Sequence, residues 1–123
     1  MFPIASLARI AASLTEHWSP RVVAELGDSY IKVAKLLGSR AWQSHPDEDK
    51  LFMVLKGHLR IEMGSGVADL VEGEMFVVPK GVRHSPMAEE ECHILLMERK
   101  STLHTGGGAT DPARLLANPL QPA

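Results

Sequence analysis

The chain has 123 residues, 45% of them hydrophobic and 23% charged, with a net charge of -2. That length supports one domain with one core, and the mixed composition describes a soluble globular protein. Charges of both signs are interspersed without a basic patch, which argues against nucleic acid as a partner, and no apolar run approaches the roughly 20 residues that span a bilayer.

At the N-terminus, residues 1–20 read as an amphipathic helix. Ile4, Leu7, Ala11, Leu14 and Trp18 recur at spacings of 3 and 4, which places them on one face. Pro3 suits a first helical turn, and Ser19-Pro20 ends the pattern. The polar face lacks the Lys/Arg density of membrane-surface helices, so the stripe is expected to pack on its own domain or on a dimer mate. Arg9 interrupts the apolar stretch, and no basic segment precedes it. The expectation is therefore a cytoplasmic protein without a secretory signal.

After Pro20 the period changes to that of strands. "RVVAEL" and "YIKVAKLL" flank the turn Gly27-Asp28-Ser29, and Gly38-Ser39 is read as the end of the second run. Further strands are expected at Leu51–Leu55, across Leu59, Ile61 and Met63, and at Val67–Val71, Met75–Val78 and His93–Met97. Gly64-Ser65-Gly66, Glu72-Gly73, Pro79-Lys80-Gly81 and the acidic Glu89-Glu90-Glu91 are read as the breaks between them. Short strands at regular spacing with Gly and Pro turns predict an all-β sandwich or barrel over residues 21–105. Residues 106–123 are Gly-, Ala- and Pro-rich and are expected to be a flexible tail. Cys92, the single cysteine, sits in an apolar run and reads as a small buried hydrophobe rather than a nucleophile.

His45 lies just before a strand and His84 just after Pro79-Lys80-Gly81, both where a barrel mouth would be built. His93 lies in "ECHILLME", apolar on both faces, so it is a candidate to line the barrel beside His84. Phe52 and Val54 share the strand parity of Lys50, and Phe76, Val78, Ile94 and Leu96 are further candidates for the lining.

"HPDEDKLFMVLKG" followed by "GEMFVVPKGVRH" resembles the two motifs of the cupin superfamily. His45 and Gly57 fit the first motif, and Gly73, Pro79, Gly81 and His84 fit the second. The resemblance implies a cupin-type β-barrel, jelly roll-like, behind a short N-terminal helix, commonly as a homodimer. It also implies a divalent transition metal (Fe, Mn, Ni or Zn) held at the mouth. The ligand positions depart from that pattern. Gln43 stands where the motif has its first His, Lys50 where it has Glu, and Ala88 where it has Asn.

An ammonium group has donors and no acceptor, so Lys50 does not ligate while charged. Held about 4 Å from a divalent ion, it opposes binding by roughly 8 kcal/mol at an effective dielectric of 20. Besides a structural or regulatory dimer that binds no ligand, two readings follow. One is a binding module, with Gln43, Lys50, Phe52 and His93 around a small polar or anionic ligand and no metal, Lys50 being ion-paired with Asp47, Glu48 or Asp49. The other is an enzyme of isomerase, epimerase or dioxygenase type. It uses a metal on Gln43, His45 and His84, or, without metal, His84 as base and Lys50 as acid.

Overall fold

The computed structural model describes residues 4–100. The expected tail, 106–123, lies outside the described residues. One short helix and seven strands follow in order: α1 (Leu7–Ser13), β1 (Arg21–Leu26), β2 (Ser29–Ser39), β3 (Lys50–Lys56), β4 (His58–Met63), β5 (Gly66–Val71), β6 (Met75–Val78) and β7 (His84–Arg99).

The helix is shorter than its periodicity predicts. Ile4 lies outside it and is 89% exposed, while Ile10, Ala11 and Leu14 are buried against Val23 and Val33. Two features stop it early. The Ser13 hydroxyl donates to the Ile10 carbonyl at 2.7 Å, competing with the helical ladder. Lys35 on β2 donates to the carbonyls of Ala12 and Leu14 at 3.0 and 2.8 Å, satisfying helix-end acceptors from outside. Trp18 then turns back with φ 60°, and its indole N–H donates to the Leu37 carbonyl at 2.9 Å.

All strand pairing is antiparallel within the ladders β1-β2-β7-β3-β6, with β4 joining β5 to β7. β7 carries the architecture. Its first residues, His84 to Met87, pair with β4, and its later residues, His93 to Met97, pair with β3. β2 lies along its other side between Met87 and Arg99, with a register shift between Leu36 and Gly38. β2 ends at Gly38-Ser39 as expected, with Gly38 at φ +80°. One other expected break is a bend within a strand. The acidic triplet Glu89-Glu90-Glu91 is exposed inside β7, so its charges stay in water while the backbone remains in the sheet. A strand shared by two faces folds the sheet over on itself, which is the jelly-roll solution to exposed edges.

Between the faces, Phe52, Val54, Leu59, Ile61, Ile94 and Leu96 form the centre of the core, each 4% exposed or less. The lining expected from parity is found: Val78 is buried and Phe76 packs on the cluster. Cys92 is fully buried beside them, and burial pushes its thiol up to about 11. Gly57, between β3 and β4, is needed there. Its φ is +96°, and a Cβ would lie 3.2 Å from the Glu91 carbonyl oxygen and 3.3 Å from the Cys92 Cα. Among the described residues no helix is long and apolar enough to cross a membrane.

Candidate functional site

β3 enters the barrel with Lys50, Phe52 and Val54 on its inner face, a side chain every second residue. Opposite Lys50, β7 ends with Glu98 on its own inner face, in line with Ile94 and Leu96. β2 contributes Lys32, in line with Ala34 and Leu36. These three charged residues meet in the interior. Lys32 Nζ donates to Glu98 Oε1 at 2.7 Å, and Lys50 Nζ lies 3.6 Å from Glu98 Oε2. Each is 5% exposed or less. One carboxylate thus serves two ammonium groups.

Burial pushes the Lys50 pKa below its ordinary value of 10.5, and the nearby Lys32 charge adds to that, while Glu98 opposes both. The Lys50 ammonium lies 5.2 Å from the centre of the Phe52 ring. On its other side, Phe52 meets His84 edge to face at 5.9 Å, and His84 in turn lies 5.9 Å from His45, centre to centre.

His84 is placed by backbone pairing. It forms a bridge with Gln43, the two residues exchanging N–H to carbonyl bonds at 2.9 Å. His84 is therefore the first residue of β7, not a loop residue as its position after Pro79-Lys80-Gly81 suggests. His45 is fixed through its carbonyl, which accepts from the Gly81 N–H at 2.9 Å. Asp49 accepts from the Lys80 N–H at 2.9 Å and ties the loop before β3 to the loop before β7. Pro79 and Gly81 thus serve the turn that presents His84, whereas Gly73 serves the turn between β5 and β6, its N–H donating to the Val54 carbonyl at 2.8 Å.

His84 Nδ1 donates to the Val82 carbonyl at 3.0 Å, which leaves the Nε2 lone pair facing inward. Its pKa is lowered, first by burial and then by the charges of Lys50 and His45, although the Val82 bond opposes this. Among the described residues, His84 Nε2 and Gln43 Oε1 are buried without a hydrogen-bond partner.

Gln43, His45, Lys50, Phe52 and His84 are thus brought to one end of the barrel, and His93 is not. It shares strand parity with Leu95 and Met97, registers with Lys35, and lies on the outer face, where its Nε2 is 3.3 Å from Glu91 Oε1. The alternation of β7 puts Ile94 inside and His93 outside. The expected local partners of Lys50 are also elsewhere. Asp49 holds Lys80, and Glu48 lies 3.9 Å from Arg99, because β3 directs Lys50 across the barrel to Glu98. Lys32 and Glu98 were not anticipated from the sequence. Their signal was a charge at an apolar parity: Lys32 ahead of Ala34 and Leu36, Glu98 behind Ile94 and Leu96.

The donor set does not fit a resident divalent ion. No group of three or more His, Cys, Asp or Glu residues among those described is arranged to hold a metal. Two imidazoles and an amide oxygen remain, beside a buried ammonium that repels cations.

A small antiparallel jelly roll with inward polar groups at one mouth defines the class. The profile of the family described as "Cupin domain" matches residues 32–98. The chain belongs to the cupin family. It is similar to the Bacillus subtilis protein YdbB, with 30% identity over 101 residues, covering 81% of this chain and 89% of that one. A cupin-2 domain containing protein from Shewanella frigidimarina is 41% identical, covers 78% of this chain and 94% of its own, and superposes with a TM-score of 0.76. The hydroquinone 1,2-dioxygenase of a Sphingomonas species, with 4-hydroxybenzoate bound, covers 85% of this chain and 74% of its own at 16% identity, with a TM-score of 0.66. At that identity the likeness is one of fold.

Proposed function

We propose that this chain is a cupin binding module that takes a small anionic metabolite at the barrel mouth without a metal. The observation that carries the reading is Lys50. It occupies the motif position of a carboxylate ligand, is 5% exposed, and shares Glu98 with Lys32. Among the described residues, the buried lysine and glutamate side chains therefore comprise two cations and one anion. Buried charge is costly unless paired, and a bound anion supplies the missing counter-charge. Phe52 provides an apolar floor, and His84, His45 and Gln43 provide polar edges, the arrangement expected of a small-molecule site.

Metal analysis of the untagged protein, joined to a thermal-shift screen of anionic metabolites, tests this. The expected result is metal far below one per chain after offering iron, manganese, nickel and zinc, and a rise in Tm with an anion that is lost in Lys50→Met. Stoichiometric metal that disappears in the His45→Ala, His84→Ala double variant would instead establish the metal-enzyme reading through Gln43, His45 and His84.

A second reading is supported by the lone pair on His84. A buried imidazole with a lowered pKa and a fixed tautomer is suited to proton abstraction, and Lys50 is placed to return a proton or steady the negative charge that forms. On this reading the bound anion is the substrate of an isomerase or epimerase. Exchange of a substrate C–H proton with deuterated solvent, absent in His84→Gln, distinguishes it from simple binding.

A further inference from the structure

The hydrogen-bonding inventory of the mouth narrows the ligand, given the anion-binding reading above. Gln43 and His84 are a cross-strand pair, so their side chains lie on one face of the ladder. Gln43 Oε1 accepts hydrogen bonds. His84 Nε2 also accepts, because Nδ1 carries the proton given to Val82. Both atoms are buried without a partner among the described residues, and His84 is 1% exposed. Lys50, in contrast, has only donors to offer, and reaches Glu98 at 3.6 Å, an ion-pair distance longer than a hydrogen bond. The Phe52 ring neighbours both, its centre 5.2 Å from Lys50 Nζ and 5.9 Å from the centre of the His84 ring. An occupant that satisfies all of these presents negatively charged acceptors at one end and a donor at the other, with carbon between them.

We propose that the mouth binds a small hydroxy monocarboxylate. Its carboxylate accepts from Lys50, its hydroxyl donates to Gln43 Oε1, and its carbon skeleton lies on Phe52. A plain carboxylate satisfies Lys50 and leaves both acceptors unmet. A neutral polyol satisfies the acceptors and leaves the charge uncompensated. Sulfate supplies charge but no donor.

Isothermal titration of the full chain with lactate, 3-hydroxybutyrate, propionate, butyrate, sulfate and glycerol separates these cases. The expected order has a hydroxy acid binding about 10- to 100-fold more tightly than its deoxy analogue, the range set by the cost of leaving that one buried acceptor unpaired. Gln43→Leu, whose backbone bridge is retained, is expected to bring that ratio toward one by weakening the hydroxy acid. Lys50→Met is expected to remove binding of all the carboxylates. Circular dichroism melts of each variant confirm folding. Equal binding of hydroxy and deoxy acids, tightest binding of sulfate, or an unchanged ratio in Gln43→Leu would overturn the hydroxy-acid inference and leave the anion-binding reading standing. Binding of glycerol alone, or of none of the six, would overturn both.

Discussion

Glu98 neutralises Lys32 at 2.7 Å and faces Lys50 at 3.6 Å, with all three side chains out of water. Removing the shared partner leaves two buried ammonium groups without compensation. Glu98→Gln is therefore expected to lose about 3–5 kcal/mol of unfolding free energy, read as a lower urea midpoint. Lys50→Met is expected to behave in the opposite sense. It removes the second cation, leaves the short Lys32–Glu98 pair intact, and places an apolar chain of similar length on Phe52. Its stability is expected to match or exceed that of the parent by about 1–2 kcal/mol, as for other buried charges replaced by apolar groups. Those two outcomes together, higher stability and lost anion binding in Lys50→Met, would mark Lys50 as retained for function.

At the scale of elements, β7 does what no short strand can. Its 16 residues bring His84 at one end and Glu98 at the other into the same barrel, and its bend allows one chain to line both faces. Gly57 lets β4 approach that bend. Gly57→Ala is expected to destabilise the protein by about 1–3 kcal/mol, because the added Cβ meets the Glu91 carbonyl and the left-handed backbone is strained at once. Chemical denaturation of the purified variant checks this. The turns and the apolar alternation of the strands were legible in the sequence, since each depends on neighbours within a few residues. The continuity of β7 through its three glutamates was not. An acidic run ordinarily signals a loop, and here it is a bulge within β7, bounded by ladder pairs at Ala88 and Cys92 on β2. The early end of α1 is similar: periodicity runs on to Trp18, but Lys35, distant in sequence, caps the helix at Ser13.

For the whole molecule, the buried cation makes stability depend on pH in a defined direction. Folding lowers the Lys50 pKa below 10.5, so between the folded value and 10.5 the unfolded chain binds more protons than the native one. Stability attributable to Lys50 therefore rises with pH through that window and is level below it. The difference in unfolding free energy between the parent and Lys50→Met is expected to shrink as pH rises, because a neutral amine no longer burdens the interior. Parallel urea titrations at stepped alkaline pH measure it, and the paired comparison cancels the titration of other lysines. A saturating anion is expected to reduce the same difference at neutral pH by supplying the counter-charge.

The sequence by itself determined the family, the strand periodicity, the glycine and proline turns, and the convergence of His45, His84, Gln43 and Lys50, because motif spacing and strand parity are local properties of the chain. It also determined that a cation stands where a metal ligand is usual. Only the tertiary structure decided what that cation meets. Asp47, Glu48 and Asp49 are its neighbours along the chain, yet a pleated strand directs Lys50 across the barrel, where Lys32 and Glu98 arrive from strands 18 residues before it and 48 after it. Parity within β7, set by its pairing with β2, likewise turned His93 outward and Glu98 inward. Which charge is buried beside which is a property of the folded ladders, and no interval in the sequence encodes it directly.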